Sequence, residues 1–119
     1  MRKMKVLIKR PDEQFGHICS ISGRLENLQK TVGGYIETIT IARTTDGNPI
    51  ILVCNEEGKL QGLEHNIFLN SEDRLGVHYS EQIVGTFFIC SSDGEEFTDL
   101  PDTFGMPEWK ELFNNGRVK

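Results

Sequence analysis

The chain carries none of the common catalytic signatures, and each gap excludes a class of chemistry. There is no G-x-S-x-G, no G-x-x-x-x-G-K-[ST] and no G-x-G-x-x-G, so a nucleophile elbow and the standard phosphate loops are out. His17, His65 and His78 stand far apart, and none forms H-x-x-x-H, H-E-x-x-H or a ligand spacing with cysteine. That leaves no support for a zinc site. Asp93 to Glu96 lacks the acids that precede the Asp-Gly step of a calcium loop. No metal or other cofactor is expected. The cysteines number three, Cys19, Cys54 and Cys90, with no C-x-x-C spacing. Each sits in an apolar run, as small core residues in a reducing compartment do. A cytoplasmic location follows as an expectation.

Long hydrophobic runs are also missing. None approaches the ~18 residues of a membrane span, so no membrane partner is expected. After a basic start the apolar part runs only from Val6 to Ile8 before Lys9, too short for a signal-peptide core. It reads as a first strand. Positive charge is in deficit: 13 Lys and Arg face 18 Asp and Glu, for a net charge of −5. A protein that tracks phosphates should carry a basic face, so no nucleic-acid partner is expected. The balance is too even for a mimic of the DNA backbone. The cluster Arg2, Lys3, Lys5, Lys9 and Arg10 is expected to guard an edge strand against pairing.

The 119 residues, 37% of them apolar, suit one domain over residues 1–119. Met4 to Arg10 and His17 to Ile21 read as a hairpin around a turn at Pro11-Asp12. Ser22 is a candidate helix cap. Leu25, Leu28 and Val32 then share one helical face, and Gly33-Gly34 stops the helix. Tyr35 to Ala42 is rich in β-branched residues. Asp46-Gly47 signals a hairpin into Ile50 to Asn55. Glu56 to Lys59 turns the chain. Leu60 to Tyr79 has no clear period and is expected to hold short pieces of structure and loop. Gln82 to Cys90 reads as one core strand. Pro107, Trp109, Leu112 and Phe113 predict a terminal helix over about 106–114. The fold class is α+β: a small mixed or antiparallel sheet of about five to six strands, one helix packed on it, and a C-terminal helix. The opening hairpin and helix fit a β-grasp beginning.

Polar groups collect beside the predicted strand ends. Tyr35, Glu37, Asn55, Glu56, Lys59 and Asn66 offer an aromatic face, carboxylates, an ammonium and amides. Gly33 and Gly34 could turn backbone amides toward an anion. These eight residues are the candidate ligand site. The same groups also suit plain turns and a solvated sheet face.

Three strings carry a family resemblance: Leu25-Glu26-Asn27-Leu28-Gln29-Lys30-Thr31-Val32-Gly33-Gly34-Tyr35-Ile36-Glu37, then Val53-Cys54-Asn55-Glu56-Glu57-Gly58-Lys59-Leu60 with Asn66, and Ile83-Val84-Gly85-Thr86. Over residues 4 to 100 the chain resembles the domain of unknown function 3846 family, common in bacteriophages and mobile genetic elements. The terminal helix lies outside that resemblance. The family carries no established activity or catalytic residues. It implies an accessory protein, many of which counter host defence. The leading expectation is a non-enzymatic protein that sequesters a small nucleotide-derived signal, with a homo-oligomer as one setting for the site. Tyr35 would stack on a base, Lys59 would meet phosphate, and Asn55 and Asn66 would read polar edges. One alternative is an inhibitor of a host defence protein, using the acidic stretch Asp93 to Asp102 with Phe97, Phe104 and Trp109. Another is a small hydrolase of a nucleotide signal.

Overall fold

The computed structural model describes residues 2–119. Its elements are β1 (Lys3–Lys9), β2 (His17–Ser22), α1 (Leu25–Val32), β3 (Ile36–Arg43), β4 (Pro49–Asn55), β5 (His65–Glu72), β6 (His78–Val84), β7 (Phe87–Ser92), β8 (Phe97–Thr98) and α2 (Met106–Asn114). Six strands form one sheet in the order β2-β1-β7-β4-β3, with β8 on the end of β7, while β5 and β6 form a separate ribbon. Every pairing is antiparallel. Of the mixed or antiparallel sheet expected from the sequence, the structure has the antiparallel one.

β7 explains the layering. It is buried on both faces, which is why it reads as an unbroken apolar run. Phe87 and Ile89 point to one face, where Leu7, Leu52, Ile67, Ile83 and Trp109 complete a core. Phe88 and Cys90 point to the other, against Met4, Val6, Leu28 and Val32. α1 thus covers one face, and the ribbon with α2 covers the other.

Two sequence expectations concern the ribbon, and the first fails. Gln82 to Cys90 is not one strand. The chain turns at Gly85, with φ 74°, and leaves the ribbon for the sheet. The Gly85 N–H donates to the Glu64 carbonyl at 2.7 Å. A β-carbon at Gly85 would sit 2.7 Å from Leu63 Cδ1. Gly85→Ala is expected to cost about 2 kcal/mol through positive φ and overpacking. A urea titration with an unchanged midpoint would contradict this. The second is Leu60 to Tyr79, where the short pieces expected are β5 and the start of β6, paired as one ribbon. Residues 117–119 lie along β5, bonding Phe68 and Asn70 through the backbone, so the free edge of the ribbon is β6.

The cap of α1 also differs. Arg24 occupies the cap position and contributes no side-chain cap bond; its guanidinium lies 3.8 Å from Glu26 instead. Ser22 sits two residues earlier, where its hydroxyl accepts from the Arg24 N–H and its carbonyl accepts from the Asn27 amide. The stop is as expected: Gly33 is left-handed, φ 86°, and the N–H groups of Gly33 and Gly34 both reach the Gln29 carbonyl. β1 lies between β2 and β7, so its basic residues guard no edge. Lys5 instead pairs with Asp102 at 2.7 Å, Arg2 lies 3.6 Å from Asp99, and Lys9 is buried.

Candidate functional site

Four of the eight sequence candidates come together. Glu37 on β3, Asn55 at the end of β4, and Glu56 and Lys59 in the following turn line a cleft of about 230 Å³, closed by Glu81 to Val84 of β6. Asn55 is buried and fully engaged. Its amide donates to the Val32 carbonyl at 3.2 Å and to Gln61 Oε1 at 3.0 Å, and its oxygen accepts the Glu57 N–H at 2.8 Å. It ties the exit of α1 to the turn, and leaves no group free to read a ligand. Gly34 is small for the same reason: a β-carbon there would stand 3.0 Å from Asn55 Nδ2. Gly33 and Gly34 therefore serve the helix stop and this close approach. Neither they nor Tyr35 lines the cleft; the Tyr35 ring is 65% exposed.

Asn66 lies elsewhere. It is buried where β1 meets the ribbon. Its amide donates to the carbonyls of Lys9 and Gly85, and its oxygen accepts from the Lys9 ammonium. Its role is a clamp between layers rather than a reader of ligand edges. Among the described residues, no buried side-chain nitrogen or oxygen lacks a partner.

The charge of the cleft opposes phosphate. Glu37, Glu56, Glu57 and Glu81 line it against the one ammonium of Lys59, so a phosphate would meet like charge. Nor do the acids converge: among the described residues no three His, Cys, Asp or Glu groups are placed to hold a metal ion. The Cys54 thiol lies 3.9 Å from Glu37 Oε1. Burial, then the Glu37 charge, pushes it up to about 12, and burial does the same to Cys90. Neither is a nucleophile at neutral pH. A thiol reagent near pH 8 is expected to modify the half-buried Cys19 first and all three cysteines only after unfolding. Rapid labelling of native Cys54 would contradict the burial.

A second cavity has the chemistry the first lacks. It measures about 440 Å³ and opens at the start of α1, between β1 and the turn joining β7 to β8. Arg2 and Arg24 stand at its mouth, Met4, Leu28 and Phe97 form an apolar floor, and Ser92, Glu95 and Glu96 line another side. α1 begins here with no side-chain cap; the Asn27 and Leu28 N–H groups reach the Arg24 carbonyl, which leaves those of Leu25 and Glu26 open at the helix start. Sequence reasoning passed over this site. Arg2 reads there as part of a basic edge strand, and Ser22, not Arg24, as the cap. The available signal was a helix start whose cap residue is a cation rather than Ser, Thr, Asp or Asn.

Across residues 4–114 the chain matches the family described as domain of unknown function 3846 (DUF3846), and it belongs to that family. The match takes in α2, beyond the residue 100 at which the sequence resemblance was drawn to end. No curated protein and no solved structure matches the chain. Among the described residues, no helix is long and apolar enough to cross a membrane.

Proposed function

We propose that this member of the domain of unknown function 3846 family is a non-enzymatic accessory protein of a phage or mobile element, acting in counter-defence by holding a small nucleotide-derived signal. The observation that carries this reading is the cavity at the start of α1. Its volume falls in the range of about 300–1,000 Å³ typical of small-ligand sites. The floor of Met4, Leu28 and Phe97 offers a base an apolar bed and one aromatic ring. The Arg2 and Arg24 guanidinium groups and the open helix start offer a phosphate two kinds of donor. Glu95, Glu96 and Ser92 can accept from ribose hydroxyls or base amino groups. The site thus moves from the acidic cleft around Asn55 and Lys59 to the other side of α1.

Calorimetry against cyclic nucleotides and cyclic ADP-ribose isomers tests the reading. Binding is expected for at least one, weakened about tenfold or more by Arg24→Glu, as loss of a charge-assisted hydrogen bond implies. The absence of binding at micromolar protein, or binding that Arg24→Glu leaves unchanged, would sink it.

A second reading, inhibition of a host defence protein by direct contact, has changed its surface. Trp109 and Phe104 are buried, which removes the aromatic patch first considered. The ribbon tip replaces it. Leu75 is 88% exposed there, with Val77 and Tyr79 beside it. The Asp73 carboxylate holds the loop in shape by accepting the N–H groups of Leu75 and Val77 and the Tyr79 hydroxyl. An ordered loop that presents apolar side chains suits an anchor. Capture of a host protein that fails with Leu75→Asp would favour this reading over the ligand.

A further inference from the structure

We propose that β2 pairs with β2 of a second copy of this chain, joining two six-stranded sheets edge to edge about a two-fold axis. This stands apart from the ligand reading, because it rests on the free edges of the sheets. Among the described residues the long free edges are β2, β3 and β6, and they are not alike. β3 carries the exposed charges Glu37 and Arg43 and a register shift between Thr40 and Ala42. The Arg117 guanidinium also donates to the Ile41 carbonyl at 3.1 Å. β6 carries Glu81 and borders the acidic cleft. Charges and bulges of this kind keep edges from pairing.

β2 has none of these devices. Its sequence, His-Ile-Cys-Ser-Ile-Ser, contains no Asp, Glu, Lys, Arg or Pro. Its pairing with β1 runs without a shift from Ile8↔His17 to Lys3↔Ser22. Ile18 is exposed on it. The result is an unshifted, partly apolar edge with no acid in the strand itself, and the acid against it, Glu13, is held by His17 at 2.8 Å and Arg10 at 3.7 Å, on a chain of net charge −5. Two copies of an acidic protein repel each other. Of these edges, β2 is the one whose own residues set no like charges side by side when two copies meet.

The register follows from what occupies the end of the strand. The Ser22 carbonyl accepts from Asn27 and its hydroxyl from Arg24, so the helix start folds over that end. The open stretch is His17 to Ile21, and its centre is Cys19. A two-fold axis normal to the sheet keeps each face continuous, because it sets residues of the same face opposite each other. Cys19 then faces Cys19, His17 faces Ile21, and Ile18 faces Ser20. Directly opposite α-carbons in an antiparallel pair lie about 4.5–5.5 Å apart, within the span of a disulfide. Strand addition contributes backbone hydrogen bonds and little area, so a dimer of micromolar strength is expected.

Sedimentation of the full reduced chain over a micromolar concentration series is the test, with Ser20→Lys as the disrupting variant. Ser20 is exposed, and circular dichroism confirms that the variant stays folded. The expected result is a dimer of twice 13.5 kDa that Ser20→Lys converts to monomer. Diamide should link the native dimer through Cys19, with no link in Cys19→Ser. A native chain that stays monomeric overturns the proposal and leaves the edge to another protein. A dimer that survives Ser20→Lys, or one that gives no Cys19 link, overturns it as well.

Discussion

Trp109→Ala is expected to lose about 3–5 kcal/mol of stability, the cost of emptying a large aromatic site in a packed core. Trp109 is fully buried. Its ring meets Phe87 edge-on at 6.0 Å and Phe113 at 5.0 Å, and Phe113 in turn meets Phe15 at 5.0 Å. The indole N–H donates to the Phe15 carbonyl at 2.7 Å. Phe15 lies in the turn between β1 and β2, so this one side chain fastens α2 to both the sheet and the opening hairpin. Trp109→Phe separates the two contributions. It keeps an aromatic ring and orphans the Phe15 carbonyl, for a smaller loss of about 1–3 kcal/mol. Urea unfolding followed by far-ultraviolet circular dichroism gives both values, since Trp109 is the only indole and its fluorescence goes with it. A Trp109→Ala loss below about 1 kcal/mol would mean that α2 does not depend on this anchor.

The elements legible in the sequence are those whose hydrophobic pattern points at one layer. β1, β2, α1, β3, β4 and α2 all announce themselves through a period, a turn pair or a cap. The ribbon does not. Phe68, Leu75, Val77 and Tyr79 are apolar and face solvent, so the alternation of a half-buried strand is lost. A register shift between His65 and Ile67 breaks what remains. Gly85 was hidden for the opposite reason. Ile83 and Val84 on one side and Phe87 and Phe88 on the other are all buried, so two strands of different sheets read as one run. Only the glycine's positive φ, a property of the fold, separates them.

The candidate site was less legible than the fold. A polar residue beside a strand end looks the same whether it awaits a ligand or completes the backbone. Both Asn55 and Asn66 complete the backbone in the fold: Asn55 joins the distant Val32 carbonyl to the Glu57 N–H of its own turn, and Asn66 has its amide and oxygen committed to Lys9 and Gly85, far away in sequence. Glu37, Glu56 and Lys59 do share a cleft. What the sequence could not show is that Glu57 and Glu81 join them and turn its charge against phosphate. Phe104 and Trp109 sit near acids in sequence, which looked like an exposed patch. In the fold their rings enter the core while Asp99 and Asp102 stay outside to meet Arg2 and Lys5.

Asn66→Leu is expected to cost about 3–5 kcal/mol near neutral pH, the range seen when one partner of a buried charged group is removed. The variant leaves the Lys9 ammonium buried without its side-chain acceptor, and it orphans the carbonyls of Lys9 and Gly85. The pH dependence identifies the source. Burial lowers the Lys9 pKa from its ordinary value, against the opposing pull of Glu13 and then Asp12. Between that lowered value and the ~10.4 of an unfolded lysine, the unfolded chain binds more protons than the folded one. Stability from this group therefore rises with pH across that window, and the cost of burying the charge is felt below it. Loss of the Asn66 acceptor disfavours the ammonium further and widens the window downward. The deficit of Asn66→Leu should accordingly shrink as pH is raised from neutral toward about 10. Adding Lys9→Met should recover much of the loss at neutral pH, because apolar groups in place of both partners leave no unpaired charge. Denaturant titrations of the two single variants and the double variant at both pH values decide the matter. A deficit that stays constant with pH, or a double variant no more stable than Asn66→Leu, would place the loss in packing rather than in the buried charge.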